Sequence, residues 1–136
     1  MTFLRGARVF FAVLFVFVTY MTLTPNPDDT KTEIDIARWI AMMLFGDGSF
    51  ADKVAHFVAY GSLGAAAALA QIRIAGRASL AIVALAFYGA LLEGMQGLGG
   101  VRTPDFFDGL ANAVGAGVGY PAMAFVSSFI AAGVRA

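Results

Sequence analysis

Long apolar runs alternate with short polar punctuation along this chain. Residues 9–25 carry no charge, with Arg5 and Arg8 just before them. A second run covers 54–72 and closes on Arg73 and Arg77. A third covers 78–98 and carries Glu93, and a fourth, 109–134, is free of charge. About 20 apolar residues cross a bilayer, with a lower limit near ~17. The pattern therefore predicts helices over about 9–25, 53–72, 78–98 and 106–132. TPNP ends the first, because proline cannot continue a helix and disfavours helical geometry in the residue before it. A cleaved signal peptide is the rival for this run. Its apolar core would be about 7–15 residues long and followed by a small-residue cleavage site, which VTYMTLTP does not offer. Pro121 marks a kink or bend in the fourth run. Residues 99–105 form a polar, glycine-containing connection.

Residues 28–50 differ in character. Asp28, Asp29, Glu33, Asp35 and Asp47 make them acidic. Ile34, Ala37, Ala41 and Leu44 recur at helical spacing, with Trp39 nearby. A short amphipathic helix over about 31–45, lying on the membrane surface, fits this pattern and the depth that tryptophan favours. The alternative is a loop helix docked on the protein without membrane contact.

Composition strengthens the membrane reading. Hydrophobic residues make up 60% of the chain and mean hydropathy is +0.78, against roughly 45–50% apolar usage in soluble domains. Thirteen phenylalanines and six methionines are too many for so small a globule to hide. The expected fold is all-α: one domain, 1–136, forming an integral membrane bundle of four transmembrane helices, with the amphipathic helix in the first extracytoplasmic loop. Net charge is zero, so no global basic field points to nucleic acid. There is no cysteine, which excludes disulfides, thiol catalysis and thiolate metal sites. No cofactor is expected.

The distribution of charge gives an orientation. Arg5, Arg8, Arg73, Arg77 and Arg135 fall on one side; Lys31, Arg38, Lys53 and Arg102 fall on the other. The first set has no acid beside it and sits tight against helix ends. The positive-inside rule then places both termini of this multi-pass chain in the cytoplasm, and residues 26–52 and 99–107 outside.

This topology gathers the polar residues at the outer end. Asp52, His56 and Tyr60 are four apart on the second helix; Glu93 and Gln96 are three apart on the third; Asp105, Asp108 and Asn112 follow at three and four on the last. Thr103 can cap that last helix, with Pro104 at its first position and Asp105 in its first turn. One reading is a polar pocket lined by Tyr60, Tyr88 and Phe106. Lys53, His56 and Arg102 are cation-capable and suit a phosphate. Asp52, Glu93 and Asp108 would orient them or exchange protons, and Tyr60, Gln96 and Asn112 would give neutral hydrogen bonds. A second reading is a membrane-embedded enzyme with Asp52, His56 and Glu93 as catalytic candidates. A hard cation held by His56, Glu93, Asp105 and Asp108 belongs to that reading; as a structural zinc site the set is poor, since such sites take more nitrogen or sulfur ligands. A third is purely structural, with the charges as each other's partners and the helices tied together. Ser62 sits among small neighbours and reads as packing. Ala111, Gly115 and Gly119 would let another helix approach closely.

The stretches DKVAHFVAYGSLG, YGALLEGMQGL and RTPDFFDGLANAVGAGVG, in this order, resemble the VanZ-like membrane proteins. The matching positions are Asp52, Lys53, His56, Phe57, Tyr60, Glu93, Gln96, Arg102, Asp105, Asp108, Asn112 and Gly115, and the resemblance runs from about residue 9 to 120. That family takes its name from a protein linked to resistance to the glycopeptide teicoplanin. The resemblance implies a cell-envelope setting and a working role for the polar cluster. With it, the expected partners are membrane lipids and an anionic lipid or wall-precursor head group; it names no substrate.

Overall fold

The computed structural model describes residues 2–24, 31–98 and 105–133, with side chains left out at 31–34 and 132–133. Five helices follow in order: α1 (Thr2–Leu23), α2 (Lys31–Phe45), α3 (Ala51–Leu69), α4 (Ala78–Leu98) and α5 (Phe106–Gly133). A single 3-10 turn, Gly48–Phe50, links α2 to α3. The described residues are almost entirely helical, and none of them forms a strand.

Three helices, α1, α4 and α5, are long and apolar enough to cross a membrane. α3 is not among them. Asp52, Lys53 and His56 occupy its first turns and alanine and glycine fill much of the rest, so its hydropathy is low. It is instead the hub of the bundle, packed against every other helix. Its closest neighbour is α5, and glycine is the reason. A Cβ at Gly64 would stand 2.7 Å from the Ala116 carbonyl oxygen, and one at Gly115 or Gly119 would collide with the α3 backbone at Phe57 or Gly61. Around this seam Tyr60, Leu63, Ala67, Ala116 and Tyr120 form a core with Val18 of α1 and Ala81 and Leu85 of α4. Large apolar side chains on the outer faces, such as Phe17, Phe87 and Phe125, stay exposed, as a lipid-facing surface requires.

α1 starts earlier than the apolar run, at Thr2, so Arg5 and Arg8 lie within the helix. α3 ends at Leu69, three residues short of 72. The stop is a Schellman motif: Ile72 N–H bonds to Ala67 O at 2.9 Å and Gln71 N–H to Ala68 O at 3.0 Å. Gln71 takes the left-handed conformation at φ 54°. No glycine marks the spot, so the sequence carries no signal for it. A tight turn follows, with Ala75 and Gly76 both at positive φ and Arg77 N–H bonded to Ile74 O at 2.9 Å. α5 runs unbroken through Pro121.

α2 forms over the acidic stretch, but its packing face differs from the expected one. Ala37 and Ala41 are buried against Ala51 and Val54 of α3, whereas Leu44 is 69% exposed. Ile40 packs against the edge of that contact. Trp39, Met43 and Leu44 all turn outward. Ile34 lies outside the described side chains.

Candidate functional site

The buried polar side chains of the described residues are Glu93, Gln96, Asp108 and Asn112, all near the C-terminus of α4 or the N-terminus of α5. α3 brings Lys53 and His56 to the same place. Lys53 Nζ forms an ion pair with Asp105 and stands 3.0 Å from Asp108 Oδ1. His56 Nδ1 is 3.0 Å from Asn112 Oδ1. Its other nitrogen, Nε2, faces Asp108 Oδ2 at 3.7 Å, too far for a hydrogen bond. The orienting partner of the ring is therefore Asn112. Glu93 Oε1 accepts the backbone N–H of Asp105 at 2.8 Å, which ties α4 to the start of α5.

Asp105 closes the cluster on its solvent side. Its Oδ1 accepts the N–H of Phe107 at 2.8 Å, so Asp105 is itself the N-cap of α5 rather than a first-turn residue behind Thr103. The Lys53 hydrogen bond, supported by the Phe107 N–H, holds its carboxyl below the ordinary 3.8. Arg102, Thr103 and Pro104 lie outside the described residues, as do Pro25 and Arg135. Asp52 is half-buried on the same helix face as His56.

Several buried oxygens have no hydrogen-bond partner among the described residues: Tyr60 OH, Glu93 Oε2, Gln96 Oε1 and Asp108 Oδ1. The last keeps its ion pair with Lys53. Buried polar atoms are normally satisfied, so such a group in one place marks a site. One ligand atom each from His56, Glu93 and Asp108 lies within 4.8 Å of the other two. Asp105, also considered as a metal ligand from sequence, is outside this group; it serves Lys53 and the α5 cap.

Two aromatic residues do not line the site. The Tyr88 hydroxyl pairs with Thr19 Oγ1 at 2.7 Å and its ring stacks on Phe15, 4.5 Å between centroids, so it faces α1. Phe106 is 79% exposed. Gln96 stands at the edge, its amide donating to the Thr22 carbonyl on α1. A residue the sequence reading passed over is Gly89. A Cβ there would stand 2.8 Å from Asn112 Cβ and 3.0 Å from Tyr60 Cε1, so its bare backbone seats both. The signal available was spacing: Gly89 is four before Glu93, on the same helix face.

No curated protein and no solved structure matches the chain. Residues 9–128, which contain α3, α4 and every residue of the cluster, match the family described as VanZ/LLP1, and the chain belongs to that VanZ-like family of membrane proteins.

Proposed function

We propose that this VanZ-like protein binds the phosphate-bearing head group of an anionic lipid or lipid-linked wall precursor at the outer end of its α3–α4–α5 cluster. The observation that supports this most is the gathering of ionisable groups from three helices at one end of an otherwise apolar bundle. Ionisable groups in a membrane are costly, about 2.5–3.5 kcal/mol each at mid-helix on insertion scales. In this reading α3 is a fourth span, shielded from lipid by its neighbours. Its 19 residues reach roughly 28 Å at 1.5 Å each, close to the ~30 Å hydrocarbon core. α2 lies at the outer interface with Trp39 and Met43 toward lipid. Lys53 and Arg102 take the phosphate, and His56 moves or holds a proton. A link to glycopeptide resistance of the teicoplanin type would follow from a wall-precursor ligand.

A second reading keeps the cluster purely structural. Its support is that most of the described bonds there join two helices: Lys53 to Asp105 and Asp108, His56 to Asn112, Glu93 to the start of α5. The two readings separate on Arg102→Ala and His56→Ala in nanodiscs of phosphatidylcholine with phosphatidylglycerol. Head-group binding predicts loss of phosphatidylglycerol enrichment around a folded protein, read by mass spectrometry of retained lipid. Enrichment equal to the parent in both folded variants would refute it. A fall in thermal stability with enrichment intact favours the structural reading.

A further inference from the structure

We infer that His56, Glu93 and Asp108 hold a divalent transition-metal cation of the zinc or manganese type. This rests on the head-group reading only for what the metal would face, not for its ligands.

The first argument is geometric. Donor atoms from the three residues lie within 4.8 Å of one another. Some point is then within about 2.8 Å of all three, against ~2.0–2.2 Å for zinc to nitrogen or oxygen. Small side-chain rotations cover that difference. The 3.7 Å between His56 Nε2 and Asp108 Oδ2 is too long for a hydrogen bond. It is close to the separation of two ligands sharing one cation.

The second argument is the state of the histidine. Neutral imidazole binds metal through one nitrogen while the other donates to a fixed acceptor. Here His56 Nδ1 faces Asn112 Oδ1 at 3.0 Å, which assigns a proton to Nδ1 and leaves Nε2, on the Asp108 side, as the nitrogen open to a metal. Asn112 is 1% exposed, so its carbonyl is not lost to water.

The third argument is the unmet demand of the carboxylates. Glu93 is 6% exposed and its Oε2 has no hydrogen-bond partner among the described residues. Lys53 is shared between Asp105 and Asp108, and no described cation pairs with Glu93. Among the described residues, one lysine, Lys53, offsets one of the three carboxylates Glu93, Asp105 and Asp108. A divalent cation offsets the other two. It also changes what the cluster can bind. With the ion in place, an open coordination position would accept a phosphate oxygen beside Lys53. One imidazole with two carboxylates suits zinc or manganese.

The test uses the full chain, purified in nanodiscs with a tag free of histidine and stripped with EDTA. Titration with Zn²⁺ and with Mn²⁺, followed by elemental analysis, should give one ion per chain for at least one metal. Glu93→Gln and Asp108→Asn should each raise Kd by at least about tenfold. Asn112→Ala should do so by about 10–100-fold, the usual effect of removing such a supporting partner. Asp35→Asn, an exposed carboxylate on α2, should leave Kd unchanged. X-ray absorption on the zinc-loaded parent needs no variant to fold; it should find one imidazole nitrogen among oxygen ligands. Absence of saturable binding overturns the site, as does a bound zinc without imidazole or parent-like affinity in folded Glu93→Gln. Phosphatidylglycerol enrichment in a chain that binds no metal removes the cation and leaves the head-group reading. One bound ion without lipid enrichment supports the cation and removes that reading.

Discussion

At the scale of residues, helical geometry decides which side chains reach the cluster. Each residue turns an α-helix by about 100°. Glu93 and Gly89 are four apart and nearly eclipsed, whereas Tyr88, five before Glu93, is turned roughly 140° away; it meets Thr19 and Phe15 instead. Phe106 is two before Asp108 and roughly 200° from it, which is why one is 79% exposed and the other 3%. The polar members were therefore legible as one-sided spacing. The aromatic lining was assigned by nearness in sequence, where angle mattered. Gly89 was illegible because a glycine in an apolar run reads as general packing. Gly89→Ala is expected to cost about 1–3 kcal/mol, the range for overpacking a filled interior, by pushing on Asn112 and Tyr60. Thermal unfolding in detergent measures it, and a midpoint equal to the parent would mean Asn112 is not seated there. Ala75 gives a change of opposite sign. At φ 47° it occupies a region that costs an L-residue about 1–2 kcal/mol, so Ala75→Gly should raise the unfolding midpoint. An unchanged or lower midpoint would remove the left-handed turn.

At the scale of elements, α1, α4 and α5 were legible because long apolar runs have one cheap solution in a bilayer, a helix. α3 is less apolar than these three and is not among the helices long and apolar enough to cross a membrane. Its apolar residues are mostly small, and their function is close approach to α5 rather than contact with lipid. α2 is similar: two alanines, Ala37 and Ala41, form the buried part of its contact with α3, with Ile40 packed beside them. The α3–α5 seam gives a paired prediction. Gly64→Ala places a methyl 2.7 Å from Ala116 O and 2.9 Å from Tyr120 N. Both are backbone atoms, so the helices must part and the unfolding midpoint should fall. Gly94→Ala, on α4, meets nothing within 4 Å. Alanine exceeds glycine in helix propensity by about 1 kcal/mol, so that midpoint should hold or rise. Equal losses at both positions would mean the seam is not the determinant.

At the scale of the molecule, the two ends of the bundle are chemically distinct. One holds Lys53, His56, Glu93, Asp105 and Asp108 in mutual contact. At the other, Tyr120 bonds to the Ile72 carbonyl at 2.9 Å and Arg8 reaches the Ala70 carbonyl at 3.5 Å, with Arg73 and Arg77 exposed beside them. Arginine concentrates on the cytoplasmic side of short loops, so the turn between α3 and α4 should face inward and the α2–α3 connection outward. This orientation was read from a margin of one basic residue, and its strength comes from the absence of acids beside the arginines. The chain has no cysteine, so single cysteines report without background. Thr2→Cys and Gly76→Cys should react with a membrane-impermeant maleimide only after the cells are permeabilised. Ser49→Cys, beside the exposed Asp47 cap of the 3-10 turn, should react in intact cells. The reverse pattern would invert the protein and put the cluster on the cytoplasmic side, where wall precursors are assembled rather than displayed. Labelling of Gly76→Cys and Ser49→Cys from the same side would show that α3 does not span. The cluster would then be a loop-borne site pressed onto a three-helix anchor.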